Sequence, residues 1–104
     1  MPMTCTAKNR ELTVRLSGEI DHHAARQLML DLDREIESRF PRRLVLDLAQ
    51  LTFMDSSGIA VLLRTCRRMQ EVGGTMKAVN VPPQPAKVIR AANLHKVLSV
   101  SFLP

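Results

Sequence analysis

The residues of this 104-residue chain that could do chemistry fall mainly in two short runs, Asp21-His22-His23 and Asp55-Ser56-Ser57-Gly58. The second sets a carboxylate beside two hydroxyls, at what reads as a strand-to-helix junction. Nucleophilic serines occupy such junctions in hydrolases, within the elbow pattern G-x-S-x-G. Here Met54 stands where the first glycine belongs, and His22, His23 and His95 are the only imidazoles that could act as a base. No recognisable spacing pairs any of them with a serine. The first run offers three ligand types in succession, but consecutive side chains point apart and no second ligand cluster follows, so it reads as a polar loop capping a helix and not as a metal site. Neither a P-loop nor a dinucleotide-binding glycine pattern occurs. The chain is expected to be no enzyme and to carry no cofactor or metal.

What the second run can do is change its charge. A serine at a helix start that accepts a phosphate gains roughly −1.5 to −2 charge and three acceptor oxygens. The positive end of the helix favours that charge by about 0.3–1 kcal/mol, so modification need not unfold the domain. Asp55 works the other way. At ~6 Å a dianion and a carboxylate repel by roughly 5 kcal/mol at an effective dielectric near 20, against about 1.4 kcal/mol in open water. A partner that covers the site and expels water therefore resists the phosphate, and a differential of ~3 kcal/mol is about two decades of affinity. On the residues alone two readings stand, a switch and a plain helix cap. Ser56 and Ser57 both lie in the first turn, so physics does not separate them.

These residues need elements to hold them. Leu44-Val45-Leu46-Asp47-Leu48 is a nearly continuous apolar run and predicts a strand buried on both faces. Ile59, Leu62, Leu63, Cys66 and Met69 then recur at helical spacing, and Gly73-Gly74 stops that helix. Upstream, a period-two pattern over residues 3–17, broken at Lys8-Asn9-Arg10-Glu11, predicts a hairpin. Residues 18–23 read as a loop in which Asp21 caps a helix with Ala25, Leu28, Leu32 and Ile36 on one face. Pro41 ends it near Phe40. Downstream come a strand over residues 75–81, a Pro-rich break, a short helix over 86–92 with Pro85 at its first position and Val88, Ile89 and Ala92 facing in, and a last strand over 98–103. The order β-β-α-β-α-β-α-β predicts one α/β domain spanning residues 1–104, a mixed and mostly parallel sheet with an antiparallel hairpin at one side.

Composition narrows the partners. Apolar residues make up 45%, with six Pro and four Gly, which suits a packed domain and not a disordered chain. The net charge of +5 admits nucleic acid, an anionic membrane or an acidic protein surface. Three Phe with no Tyr or Trp leave little to stack on bases, and the basic residues are scattered, so nucleic acid is not an expected partner. The longest apolar run is the five residues 59–63, far short of a membrane span. Cys5 and Cys66 make no disulfide framework, Cys66 falls on an apolar stripe, and no signal peptide opens the sequence. A cytoplasmic protein is expected.

Three runs together, Gly18-Glu19-Ile20-Asp21-His22-His23, Leu44-Val45-Leu46-Asp47-Leu48 and Phe53-Met54-Asp55-Ser56-Ser57-Gly58, resemble the anti-sigma factor antagonists, the single-domain members of the STAS family. The resemblance runs from about Leu12 to Val100. It implies a partner-switching module whose unphosphorylated form binds an anti-sigma factor that is also an ATP-dependent serine kinase, freeing that factor's target. It further implies that the kinase phosphorylates Ser56, that the complex then dissociates, and that a PP2C-type phosphatase restores the hydroxyl. ATP and Mg²⁺ would belong to the kinase. Asp55, Ser57 and Gly58 complete the recognised turn, Asp21 is expected beside it in contact with the kinase, and His22 and His23 match the upstream motif. The alternative within the family is a scaffold or transport-complex module that uses the same turn without phosphorylation. The sequence departs from the family pattern in reading Gly58-Ile59-Ala60 where Gly-Leu-Gly is common. It also stops at Leu103-Pro104, where members usually carry a further helix, so less cover is expected over one face of the sheet.

Overall fold

The computed structural model describes residues 2–104. Strands β1 (Met3–Lys8) and β2 (Glu11–Ile20) form the expected antiparallel hairpin, turning at Asn9 and Arg10. Helix α1 (His22–Arg39) follows, then β3 (Arg43–Met54), α2 (Ser56–Glu71), β4 (Thr75–Val81), α3 (Pro83–Ala91), a single 3₁₀ turn (Leu94–Lys96) and β5 (Ser99–Phe102). The sheet order is β1-β2-β3-β4-β5, with β2 to β5 all parallel. The predicted order of strands and α-helices is thus observed, and the α/β class with it.

Strand order equals chain order, so every crossover steps in the same direction across the sheet. Right-handed crossovers of that kind put all their helices on one face. The register agrees: Leu12, Leu44 and Met76 align across β2, β3 and β4, as do Val14, Leu46 and Ala78, and all six join the core with Leu28 and Leu32 of α1, Val61 and Leu62 of α2 and Ile89 of α3. The opposite rows, Thr13-Val45-Lys77 and Arg15-Asp47-Val79, carry no helix. The expectation that residues 44–48 are buried on both faces holds for Val45, which is buried on the open side, and is corrected at Asp47, which is half-buried there. Leu44, Leu46 and Leu48 face the core, whereas Asp47 faces the open side, where it pairs with Arg15 at 3.7 Å and accepts from Asn80 Nδ2 at 3.2 Å.

Boundaries also moved: His22 and His23, expected in the loop, open α1, and the last strand is Ser99–Phe102. Residues 18–20, expected in a loop, continue β2, and 49–54 continue β3 right up to Asp55. Two register shifts leave β3 with one more residue than β2 at each step, between Arg15/Ser17 and again between Gly18/Glu19. Gly18 supplies the left-handed backbone (φ +89°) at the second shift, and Thr52 Oγ1 donates to its carbonyl at 3.1 Å. With residues inserted, burial recurs every third position at Leu48, Leu51 and Met54 and not every second, which hides the strand from a period-two search. The last correction concerns α3. It begins at Pro83, not after Pro85, and buries Pro85, Ala86 and Ile89, while Ala92 is its exposed C-cap.

Helix α1 buries Ala25, Leu28, Leu32 and Ile36 as expected and ends at Phe40, which adopts the left-handed conformation just before Pro41. Cys5 is half-buried, Cys66 is buried, and both thiols are free. Among the described residues no helix is long and apolar enough to cross a membrane.

Candidate functional site

Both reactive runs lie where β2 and β3 end. These strands are parallel and their last residues, Ile20 and Met54, are register partners. Each is followed by one capping aspartate and then a helix, so the N-termini of α1 and α2 emerge side by side at the carboxyl edge of the sheet, the edge where open α/β sheets present their sites. The Asp55 N–H donates to the Ile20 carbonyl at 3.2 Å, which extends the strand pairing into the caps themselves.

The caps are built alike. Asp21 Oδ1 accepts from the N–H groups of His23 and Ala24, both at 3.0 Å. Asp55 Oδ1 accepts from the Ser57 N–H at 2.8 Å, and the Asp55 carbonyl from the Gly58 N–H at 3.0 Å. Each aspartate thereby takes up helix N–H groups that have no partner within the helix. The Ala24 N–H is the chief reason why the Asp21 carboxyl is held below the usual carboxylate range, with the His23 and His22 imidazoles and the His23 N–H adding to it. His22 and His23 are exposed and lie against each other, ring centroids 4.0 Å apart and tilted by 43°. His95 sits apart, in the 3₁₀ turn.

The structure separates the two serines that the sequence left equivalent. Ser56 is exposed, while Ser57 is half-buried with its N–H committed to the cap. They also face different neighbours. Ser56 borders a shallow groove against α3 with Ile59, Lys87 and Val88, and Ser57 borders one against α1 with His22, Arg26 and Arg64. Gly58 is buried, and a Cβ there would overlap Cγ and Sδ of Met54. A glycine at this position lets the first turn of α2 sit directly on the end of β3.

Sequence reasoning missed Gln84. Pairing of β3 with β4 stops at Asp47 and Val79, which leaves the far end of β3 without a strand on that side. Gln84, at the start of α3, fills the gap. Its Oε1 accepts from the Met54 N–H at 2.8 Å, and its Nε2 donates to the Met54 carbonyl at 3.0 Å. The side-chain amide thus acts as one residue of an extra strand and fixes the residue just before Asp55. Only the proximity of α3 to β3 reveals this; a glutamine between two prolines carries no such signal.

The site is therefore a rigid platform of two capped helix starts with an exposed hydroxyl, suited to docking a protein and to bearing an anion, and the fold under it is that of a STAS domain. The chain belongs to the STAS domain family, whose sequence pattern it matches over residues 3–102. It is 36% identical over 89 residues to the anti-sigma F factor antagonist of Paenibacillus polymyxa, covering 86% of this chain and 76% of that protein. Among solved structures it is similar to the anti-sigma factor antagonist SpoIIAA in its unphosphorylated form, with 27% identity, a TM-score of 0.81 and coverage of 95% and 87% of the two chains. The phosphorylated form of SpoIIAA from Bacillus matches with 26% identity and a TM-score of 0.72, covering 95% of this chain and 90% of that one.

Proposed function

We propose that this protein is an anti-sigma factor antagonist whose binding is switched by phosphorylation of Ser56. Unphosphorylated, it docks the edge formed by Asp21, His22, His23, Asp55, Ser56, Ser57 and Gly58 onto an anti-sigma factor that is also a serine kinase, and the kinase's target is released. The kinase transfers the γ-phosphoryl of ATP to the Ser56 hydroxyl and the complex dissociates. A PP2C-type phosphatase hydrolyses the ester and resets the cycle. The chain contributes a surface and an acceptor hydroxyl, with no catalytic group of its own, and acts in the cytoplasm.

One observation carries the choice of residue: Ser56 is the exposed first residue of α2, directly after the Asp55 cap. A phosphate there meets the positive end of the helix, which tolerates it in water. The same phosphate lies beside the Asp55 carboxylate, and the pair becomes costly once a partner excludes solvent. The family membership and the named activity of the relatives support the same reading.

The test is to incubate the protein with ATP and the cognate anti-sigma serine kinase of its source organism, then map the modified residue by mass spectrometry. Phosphate on Ser56, with loss of kinase binding in Ser56→Asp and retention in Ser56→Ala, is the expected result. Modification at another residue, or a Ser56→Asp protein that binds as tightly as wild type, rejects it.

A further inference from the structure

The switch turn is a ridge between two grooves. The one on the α1 side, about 430 Å³, opens at His22 and Ser57 and runs down between α1 and α2 past Arg26, Met29, Leu30 and Arg64. Leu30 is 47% exposed and lies off the stripe by which α1 packs on the core. Arg26 makes no ion pair among the described residues, whereas Arg64 is held in place by Asp33 at 3.0 Å. The groove thus offers an accessible aliphatic wall with an unpaired guanidinium beside it and a second, fixed guanidinium opposite.

We infer that this groove is a second part of the docking surface and takes an aliphatic side chain flanked by a carboxylate from the same anti-sigma partner, an assignment that rests on the function proposed above. Two features select that occupant. The groove is continuous with the proposed docking edge, because Ser57, next to Ser56, and His22, next to Asp21, both line it. The groove's charged groups are cationic wherever they are free, so an acidic flank is complementary and a basic one is excluded. The aliphatic part fits because Met29 and Leu30 leave apolar surface that a polar segment would not use. Reaching down this groove also separates recognition from switching: contacts at Arg26 and Leu30 choose the partner, and the phosphate at Ser56 ends the encounter.

Titration calorimetry against the same cognate kinase, loaded with ADP, tests the assignment. Arg26→Glu and Leu30→Asp should each weaken binding about tenfold or more, and Arg26→Gln by less than Arg26→Glu. Lys77→Glu, an exposed charge reversal on the open face of the sheet, should leave affinity within about twofold of wild type, as expected for a charge outside the interface. Thermal unfolding of each variant confirms that the fold is retained. If wild type binds and Ser56→Asp does not, but both groove variants bind like wild type, the groove assignment is overturned and the proposed function survives. If wild type itself does not bind the kinase, both fall together.

Discussion

The Asp55 N–H donates to the Ile20 carbonyl across 3.2 Å, and with this bond the caps of α1 and α2 become neighbours although they lie far apart in the chain. It is the last rung of the β2–β3 ladder, one step beyond the Ile20–Met54 pair. Because both aspartates follow paired strand ends, neither cap can shift without breaking the sheet edge. The surface around Ser56 is therefore set before any partner arrives, and docking need not order a loop.

Asp55 caps α2, and in the proposed switch its charge also opposes a phosphate on Ser56; substitution can separate the two. Asp55→Ala removes both the cap acceptor and the charge, and should lower stability by about 1 kcal/mol in urea unfolding. Asp55→Asn keeps an acceptor for the Ser57 N–H and should cost less than half of that. In protein phosphorylated at Ser56, the Asn variant should regain kinase binding, by up to about a hundredfold over phosphorylated wild type, because the adjacent carboxylate no longer adds to the repulsion.

Gly58→Ala sets helix propensity against packing. The exchange favours a helix by about 1 kcal/mol in isolation. Its Cβ would, however, overlap Met54 Cγ and Sδ at the buried end of β3. Overpacking of that kind costs roughly 1–3 kcal/mol, so a net loss is expected in thermal unfolding. Combining Gly58→Ala with Met54→Ala should cost less than the sum of the two single changes, since each relieves the other.

Gln84→Ala leaves the Met54 N–H and carbonyl without their partners and should destabilise by about 1–3 kcal/mol. Gln84→Glu should cost less, because a carboxylate still accepts from the Met54 N–H although it cannot donate to the carbonyl. Amide hydrogen exchange provides the local readout. Protection at Met54 should fall in both variants, and more in Gln84→Ala, while residues 44–47, which pair with β4, keep theirs.

Acid should expose the Asp21 cap. Its carboxyl is held low in the folded state, first by the Ala24 N–H, so the unfolded chain takes up that proton at a higher pH than the native protein does. The stabilisation is fully present above the ordinary aspartate range and is lost as pH falls through the depressed native value. Urea midpoints followed from neutral pH downward should therefore fall more steeply for wild type than for Asp21→Asn. Parallel curves would remove Asp21 from the acid response.

Most of the architecture was readable because its signals are local. Asp21 sits where a capping residue belongs, α1 shows its apolar stripe at helical spacing, and Pro41 and Gly73-Gly74 stop their helices; at α2 the plain-cap reading of Ser56 and Ser57 is corrected, because the cap is Asp55. The second half of β3 was not readable, since the extra β3 residues at the shifts between Arg15 and Ser17 and between Gly18 and Glu19 break the alternation that marks a strand. The burial expected at Asp47 failed for a different reason, while Val45 beside it is buried as expected. An apolar run reports burial, but strand order decides how many faces the helices can cover.

By itself the sequence determined the α/β class, the order of strands and α-helices, the Asp21 cap and, through its motifs, the family. Those depend on neighbours within a few residues, on turn chemistry and on periodicity. Tertiary structure alone decided that both caps share one edge, that Ser56 is exposed while Ser57 turns toward α1, that Gly58 rests on Met54 and that Gln84 closes the end of β3. Each of these is a contact between segments remote in the chain, and its geometry exists only once the parallel strands have set their register.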